Sequence, residues 1–180
     1  IDGEVIEACK VHLPQIAASF GDPRLELIVD DGIEFVKNAK QGEYDIIIVD
    51  GSDPVGPAEG LFSVEFYTNS YNALKAEGIL VAQGESPKFN EKAFVELNQT
   101  LQTIFGLDKA PISLFFVPTY PTGMWSFQYG IKGDITINEV KNKNEIQEFV
   151  AKEGLRYYNE DIHANTFALP NFVKELVRKK

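Results

Sequence analysis

The run Asp45-Ile46-Ile47-Ile48-Val49 decides the fold class of this chain of 180 residues. Its four consecutive β-branched residues form a continuous apolar segment, which is typical of a parallel strand buried on both faces of a sheet. Segments with helical spacing of apolar residues alternate with strand-like runs before and after it. This alternation predicts an α/β fold, with a mostly parallel, twisted sheet and helices on both faces.

Further helices and strands are predicted on both sides of this run. The predicted helices cover about residues 4–17, 33–38, 65–74, 144–153 and 171–178, together with a helix that starts after Asn90 as its N-cap. The predicted strands cover residues 25–29, 45–49, 79–83, 112–117 and 125–130. Because the last two are joined by a short connection, we expect them to pair antiparallel.

The composition excludes several classes of function. A net charge of −10 disfavours a nucleic-acid partner, because binding to the phosphate backbone needs clustered Lys and Arg. No apolar run is long enough for a membrane span, and no secretory signal is visible, so a cytoplasmic location is expected. The single cysteine, Cys9, and the two histidines, His12 and His163, form no metal-binding pattern.

Polar side chains follow three of the predicted strands at their carboxyl ends, where ligands bind in open α/β sheets. They are Asp30, Asp31, Asp50, Ser52, Asp53, Gln83 and Glu85. Carboxylates packed together favour a cation between them, which could be a metal, an amine or a sulfonium. Asp30 alone is explained by the preference of Asp for turns. Asp50 and Asp53 point to a functional site, because they lie in a Pro- and Gly-rich loop directly after the most apolar strand.

Several segments then carry a resemblance to a known family. Residues 50–58, Asp-Gly-Ser-Asp-Pro-Val-Gly-Pro-Ala, resemble the D-S-S-D-P-x-G-P-A loop of the spermidine synthases. Residues 83–86, Gln-Gly-Glu-Ser, resemble the Q-x-E-S strand end of that family, and residues 118–125 resemble its P-T-Y-P-S-G-x-W turn. Residues 157–170, with Tyr-Tyr-Asn, a histidine and Leu-Pro, are similar to its C-terminal segment.

The resemblance implies a Rossmann-like fold similar to that of the class I methyltransferases. It also implies transfer of an aminopropyl group from decarboxylated S-adenosylmethionine to putrescine, which gives spermidine and methylthioadenosine. Neither a metal nor a cofactor is expected. Members of the family are commonly homodimers or homotetramers, so a homo-oligomer is expected for the full-length form, without a nucleic-acid or membrane partner.

The resemblance also implies a role for individual residues. Asp50 is expected to be the catalytic base, and Asp53 is expected to help hold the acceptor diamine. The acceptor channel is expected to be lined by Gln83, Glu96, Tyr120 and Trp125. The donor's adenine is expected to be bound by Asp31, Gly32, Pro57, Ala58 and Leu61. Gly51 stands where the family usually has Ser, which widens the backbone freedom of the loop.

The chain departs from the family pattern at its start. It opens at Ile1-Asp2, which match the last two residues of the family's E-I-D strand end. Residues 1–180 are therefore expected to form a single catalytic domain truncated at its N-terminus, without the family's N-terminal β domain and Gly-rich donor loop. Without the strand before that loop, residues 45–49 would have an open hydrophobic edge. We expect a part of a longer protein, or another chain that supplies the missing strands.

Two alternatives stay open on the sequence. The first is a related enzyme with another acceptor or donor, such as a spermine or thermospermine synthase or a putrescine N-methyltransferase. The second is a non-catalytic binding or assembly module. Without the resemblance, Tyr120 and Trp125 would be read as core residues.

Overall fold

The computed structural model describes residues 2–51 and 60–178. These fall into two compact units, one within residues 1–38 and the other within residues 39–180. The expectation of a single domain over the whole chain stays a prediction. Among the described residues, no helix combines the length and the apolar character needed to cross a membrane.

The first unit is helical. It contains α1 (Gly3–His12), α2 (Pro14–Ala17), a 3-10 helix (Ala18–Gly21) and α3 (Gly32–Lys37). The single helix predicted over residues 4–17 is divided at Leu13, because Pro14 has no N–H and favours the first position of a new helix. The apolar stripe that suggested this helix is not a core, since Leu13 and Ile16 are exposed and α1 contains no buried residue.

The strand predicted over residues 25–29 does not form, and this prediction was wrong. The segment has no regular secondary structure, and Leu25, Leu27, Ile28 and Val29 are all exposed. A strand exists only through hydrogen bonds to a neighbour, and none of the described strands pairs with this segment. The apolar pattern of residues 25–29 does not show whether a partner strand is present.

The second unit contains a four-stranded sheet of order β1-β2-β4-β3. The strands are β1 (Tyr44–Val49), β2 (Leu74–Gln83), β3 (Ile112–Phe116) and β4 (Met124–Ile131). β1 pairs parallel with β2, and β4 pairs antiparallel with both β2 and β3. The α/β class and the antiparallel C-terminal pair are therefore confirmed, and the parallel part of the described sheet is the β1–β2 pairing.

Helices cover both faces of this sheet. On one face lie α4 (Val64–Ala73) and α5 (Glu91–Phe105), and Nε2 of the buried Gln128 donates to the carbonyl oxygen of Phe94 at 2.9 Å. Neighbouring residues of a strand point to opposite faces. Accordingly, the ring of Tyr129 contacts that of Phe167 on the other face, with centroids 5.6 Å apart.

The C-terminal region contains three helices. They are α6 (Lys143–Glu153), α7 (Glu160–Thr166) and α8 (Asn171–Val177). The sequence predicted α6 and α8 but not α7, which has 7 residues and is capped by the Asn159 side chain. Val173 of α8 is fully buried in a cluster with Phe94 and Ile112.

β1 does not have the two-sided burial that its apolar run predicted. Ile46 is 57% exposed and Ile48 is 72% exposed. The cause is topological, because β1 is at the end of the described sheet and pairs only with β2. A run of β-branched residues indicates a strand, but its burial depends on what packs around it.

Candidate active site

The carboxyl ends of β1 and β2 and the turn between β3 and β4 enclose a cavity of about 380 Å³. Parallel pairing brings the ends of β1 and β2 to one edge of the sheet, and antiparallel pairing of Gln83 with Phe127 brings the start of β4 there too. The lining residues are Asp50, Gly51, Gln83, Phe89, Asn90, Tyr120, Pro121 and Trp125. The fold thus brings four of the sequence-predicted site residues together: Asp50, Gln83, Tyr120 and Trp125.

Asp50 directly follows β1 and is exposed. It is the one carboxylate among the described residues that line this cavity. Its open position lets a substrate reach it, whereas Asp45 at the other end of β1 binds Lys75 in an ion pair of 2.7 Å. Exposed carboxylates therefore lie at both ends of β1. Only Asp50, at the carboxyl end, lines the cavity.

Glu85 holds two of the lining amides in place. It is fully buried, and its φ of 63° lies in the left-handed region that non-glycine residues rarely adopt. Its backbone N–H donates to Oε1 of Gln83 at 3.0 Å, and its carboxylate accepts from Nδ2 of Asn90 at 2.5 Å. Strained backbone of this kind costs about 1–3 kcal/mol and often marks functional sites.

The sequence placed Glu85 at this edge but assigned it no role, and it gave no role to Asn90 beyond that of an N-cap. Asn90 occupies the position before α5, but its side chain makes no capping hydrogen bond. Instead it turns towards Glu85. Glu85 contacts both Gln83 and Asn90. The signal for this contact in the sequence was the glutamate of the Gln-Gly-Glu-Ser motif.

Tyr120 and Trp125 form the aromatic wall of the cavity. Their ring centroids are 4.8 Å apart in an edge-to-face arrangement, with Trp125 only 5% exposed and Tyr120 49% exposed. The turn is fixed by a hydrogen bond from the N–H of Gly123 to the carbonyl oxygen of Tyr120 and by another from Val117 to Gly123. Gly123 has a φ of 70°, which suits glycine.

Glu96 does not join the other predicted acceptor residues. It is exposed on α5, with Oε1 3.8 Å from Nζ of Lys92, and it does not line the cavity. Phe94, Leu97 and Leu101 occupy the sheet-facing stripe of α5. A residue two positions after Phe94 on a helix lies far around the axis from that stripe, which turns Glu96 to the outer surface.

The residues predicted for the donor side belong partly to each of the two units and partly to the residues outside the described ranges. Pro57 and Ala58 of the predicted donor side, and Asp53 of the predicted acceptor side, lie outside the described residues. In the first unit, Asp31 is the N-cap of α3, where its carboxylate accepts from the N–H of Ile33 at 2.8 Å, and Gly32 is the first residue of that helix. Leu61 belongs to the second unit and is half-buried.

Residues 1–143 match the family described as the spermine/spermidine synthase domain. The chain belongs to this family. It is 42% identical over 186 residues to the polyamine aminopropyltransferase of Alkaliphilus oremlandii and covers 62% of that protein. It is 44% identical over 177 residues to the polyamine aminopropyltransferase of Moorella thermoacetica and covers 59% of it. These matches include 100% and 98% of this chain, which thus spans about 60% of the length of these relatives.

Solved structures of the family share this fold. The spermidine synthase from Thermotoga maritima superposes with a TM-score of 0.87 at 37% identity, over 98% of this chain and 58% of that one. A spermidine synthase in complex with the transition-state analogue AdoDATO superposes with a TM-score of 0.89 at 37% identity, over 98% of this chain and 59% of that one. The Rossmann-like, methyltransferase-type fold is therefore confirmed.

The C-terminal segment, which resembles that of the family, has a structural role here. In the C-terminal segment, Oδ1 of Asn159 accepts from the N–H of Ile162 at 2.8 Å and so caps α7. The His163 ring links Tyr158 Oη, 3.0 Å from Nδ1, to the carbonyl oxygen of Ile137, 2.7 Å from Nε2. These bonds join α7 to the segments that contain Tyr158 and Ile137, beside a second cavity of about 420 Å³.

The second cavity is lined mainly by apolar side chains. On its sheet side lies Tyr129, whose hydroxyl is 2.9 Å from Ser113 Oγ, and burial raises the pKa of Tyr129. No carboxylate is among its described lining residues. Because a carboxylate is the stronger partner for a cationic substrate, the Asp50 cavity is the candidate active site.

Substitution of Gly51 by Ser, the residue usual in the family, is expected to be tolerated. A Cβ at Gly51 would lie 3.3 Å from Cδ1 of Leu61, a close contact that the flexible end of a leucine side chain can relieve. We expect Gly51→Ser to change the free energy of unfolding by less than about 1 kcal/mol, measured by urea denaturation. A loss of several kcal/mol would show that Leu61 cannot move and that this loop requires glycine.

Proposed function

We propose that the protein is an aminopropyltransferase of polyamine biosynthesis, which moves the aminopropyl group of decarboxylated S-adenosylmethionine to putrescine. The observation that carries the proposal is a single cavity that combines the carboxylate of Asp50 with the aromatic wall of Tyr120 and Trp125. In the reaction an N–C bond forms to the acceptor amine and the C–S bond of the sulfonium breaks. The products are spermidine and methylthioadenosine.

The chemical difficulty lies with the nucleophile. The sulfonium leaves as a neutral thioether, so the leaving group needs no proton. An aliphatic amine has a pKa near that of lysine, about 10.4, and therefore arrives protonated at neutral pH. A neighbouring sulfonium lowers the pKa of that amine, and Asp50 is proposed to accept its proton. Holding both reactants in line supplies a further part of the catalysis, about 7 kcal/mol in favourable cases.

The shape and chemistry of the cavity fit a diamine. Putrescine has a charged amine at each end and apolar methylenes between them. Asp50 binds the reacting end, and the rings of Tyr120 and Trp125 contact the methylenes. Asp53 is proposed to assist Asp50, and Gln83 lines the same cavity. Glu96 has no place in this arrangement, because it is exposed on α5 and paired with Lys92.

The donor side of the proposal comes from the family. Adenine is proposed to contact Asp31, Gly32, Pro57, Ala58 and Leu61. A related spermidine synthase has been solved in complex with the transition-state analogue AdoDATO, which supports a small-molecule site in this fold. Neither a metal nor a cofactor enters the proposed reaction, and a homo-oligomer is proposed for the full-length form.

Product analysis tests the proposed function. The protein at its native length is incubated with putrescine and decarboxylated S-adenosylmethionine, and the products are identified by mass spectrometry. Spermidine and methylthioadenosine in equal amounts are expected. Parallel reactions with spermidine as acceptor, and with S-adenosylmethionine as donor, test the related activities. Formation of N-methylputrescine, or a strong preference for spermidine as acceptor, would contradict the proposal.

A further inference from the structure

We propose that Asn90 recognises the second, non-reacting ammonium group of the acceptor through its side-chain oxygen, Oδ1. This inference rests on the proposed function, because it concerns the acceptor of that reaction. Asn90 lines the same cavity as Asp50, Tyr120 and Trp125. Glu96, which the family resemblance had placed in the acceptor channel, is not among the described residues that line this cavity.

The hydrogen bond to Glu85 fixes the orientation of the Asn90 amide. The bond runs from Nδ2 of Asn90 to Oε2 of Glu85, and an amide side chain has its donors on nitrogen and its acceptor on oxygen. Oδ1 is then the atom directed away from Glu85. Asn at this position usually accepts a hydrogen bond from the first turn of the helix, but here the side chain makes no such bond. Among the described residues, none donates to Oδ1.

The other oxygen-bearing side chains of the cavity are less suited to this role. Oε1 of Gln83 accepts from the N–H of Glu85 at 3.0 Å, and Nε2 of Gln83 is 3.5 Å from the Glu85 carboxylate. Tyr120 contributes its ring to the contact with Trp125. Asp50 is assigned to the reacting amine. An amide oxygen is a good partner for an ammonium group, which has three donors and no acceptor.

The surroundings of Glu85 hold Asn90 with little freedom. Glu85 is fully buried, and its carbonyl oxygen accepts from Oγ of the buried Ser126 at 2.8 Å. Oε1 of its carboxylate also lies 3.5 Å from Nε2 of Gln83, so the side chain that holds Asn90 is itself held through its other oxygen. Preorganisation of this kind lowers the entropic cost of binding.

The position of Asn90 along the sheet edge agrees with recognition of the far end. Asp50 follows β1, whereas Asn90 belongs to the segment that follows β2, the next strand. Neighbouring strands lie about 4.8 Å apart. Two partners that follow neighbouring strands, and that line one cavity, can therefore hold the two ends of a short diamine.

Calorimetric binding of two amines tests this inference independently of turnover. The protein at its native length, saturated with methylthioadenosine, is titrated with putrescine and with n-butylamine, which has the same four carbons but only one amine. We expect Asn90→Ala to weaken putrescine binding about tenfold, as for a hydrogen bond to a charged group, and to leave n-butylamine binding unchanged. Glu91→Gln, an exposed neighbour in the first turn of α5, is the control and is expected to change neither.

The outcomes separate this inference from the proposed function. Equal weakening for both amines, or no change for either, would overturn the role of Asn90. A wild-type protein that forms no spermidine would instead overturn the proposed function, whatever the calorimetry shows. Because loss of the Glu85 contact could disturb folding, Asn90→Leu, which keeps the number and branching of the side-chain heavy atoms, is measured in parallel and is expected to give the same putrescine-specific loss.

Discussion

Asp50→Asn is expected to abolish aminopropyl transfer while methylthioadenosine still binds. The substitution keeps the shape of the side chain but removes the group that accepts the amine proton. Loss of a general base typically lowers the rate by about 10²–10⁴-fold, so kcat should fall by about 10³-fold. The measurement is steady-state kinetics with putrescine in the protein at its native length, with methylthioadenosine binding followed by calorimetry.

Asp45→Asn is the matched control for this experiment. Asp45 lies at the opposite end of β1, outside the cavity, in an exposed ion pair with Lys75. Exposed ion pairs contribute at most about 1 kcal/mol, so this variant should fold and turn over normally. Near-normal turnover by Asp50→Asn, or an equal loss in both variants, would contradict the assignment of Asp50 as the base.

Gly84→Ala is expected to destabilise the protein strongly and to disturb the site at the same time. A Cβ at Gly84 would lie 2.5 Å from Cγ of Gln128 and 2.7 Å from Oγ of Ser126, and both residues are fully buried. Neither can move outward, because Gln128 bonds Phe94 and Ser126 bonds Glu85. Overpacking a core of this kind costs about 3 kcal/mol.

The measurement for Gly84→Ala is the free energy of unfolding from urea denaturation, together with the KM for putrescine. The KM should rise as well, because Gly84 lies between Gln83 and Glu85, and a displaced backbone would move both. Gly21→Ala is the control, since a Cβ there would meet no atom within 4 Å. A Gly84→Ala variant as stable as Gly21→Ala would contradict this packing, because it would show that Gln128 and Ser126 can move to admit a methyl group.

The sequence predicted correctly those strands that are indicated by nearby residues alone. The β-branched run of β1 and the short connection between β3 and β4 gave the correct strand type and pairing. The strand ends placed Asp50 and Gln83 at one edge of the sheet, and the family resemblance added Tyr120 and Trp125 to the same site. The structure confirms that these four residues line one cavity, while their chemical roles stay predictions.

The features that the sequence did not predict depend on long-range packing. Residues 25–29 have strand-like composition but no described partner strand. Glu96 was placed by analogy, and its outward direction follows from which side of α5 contacts the sheet. Asn90 was predicted as an N-cap from local preference, whereas the buried carboxylate of Glu85 draws its side chain away from the helix.

The central claim is that the cavity at the end of β1 and β2 holds the acceptor amine. It is tested most directly by a crystal structure of the protein, at its native length, with putrescine and methylthioadenosine. The account predicts a diamine in this cavity, with one nitrogen beside Asp50, its methylenes against Tyr120 and Trp125, and its other nitrogen beside Asn90. A diamine bound elsewhere, for example at Glu96 on the outer surface of α5 with this cavity vacant, would contradict it.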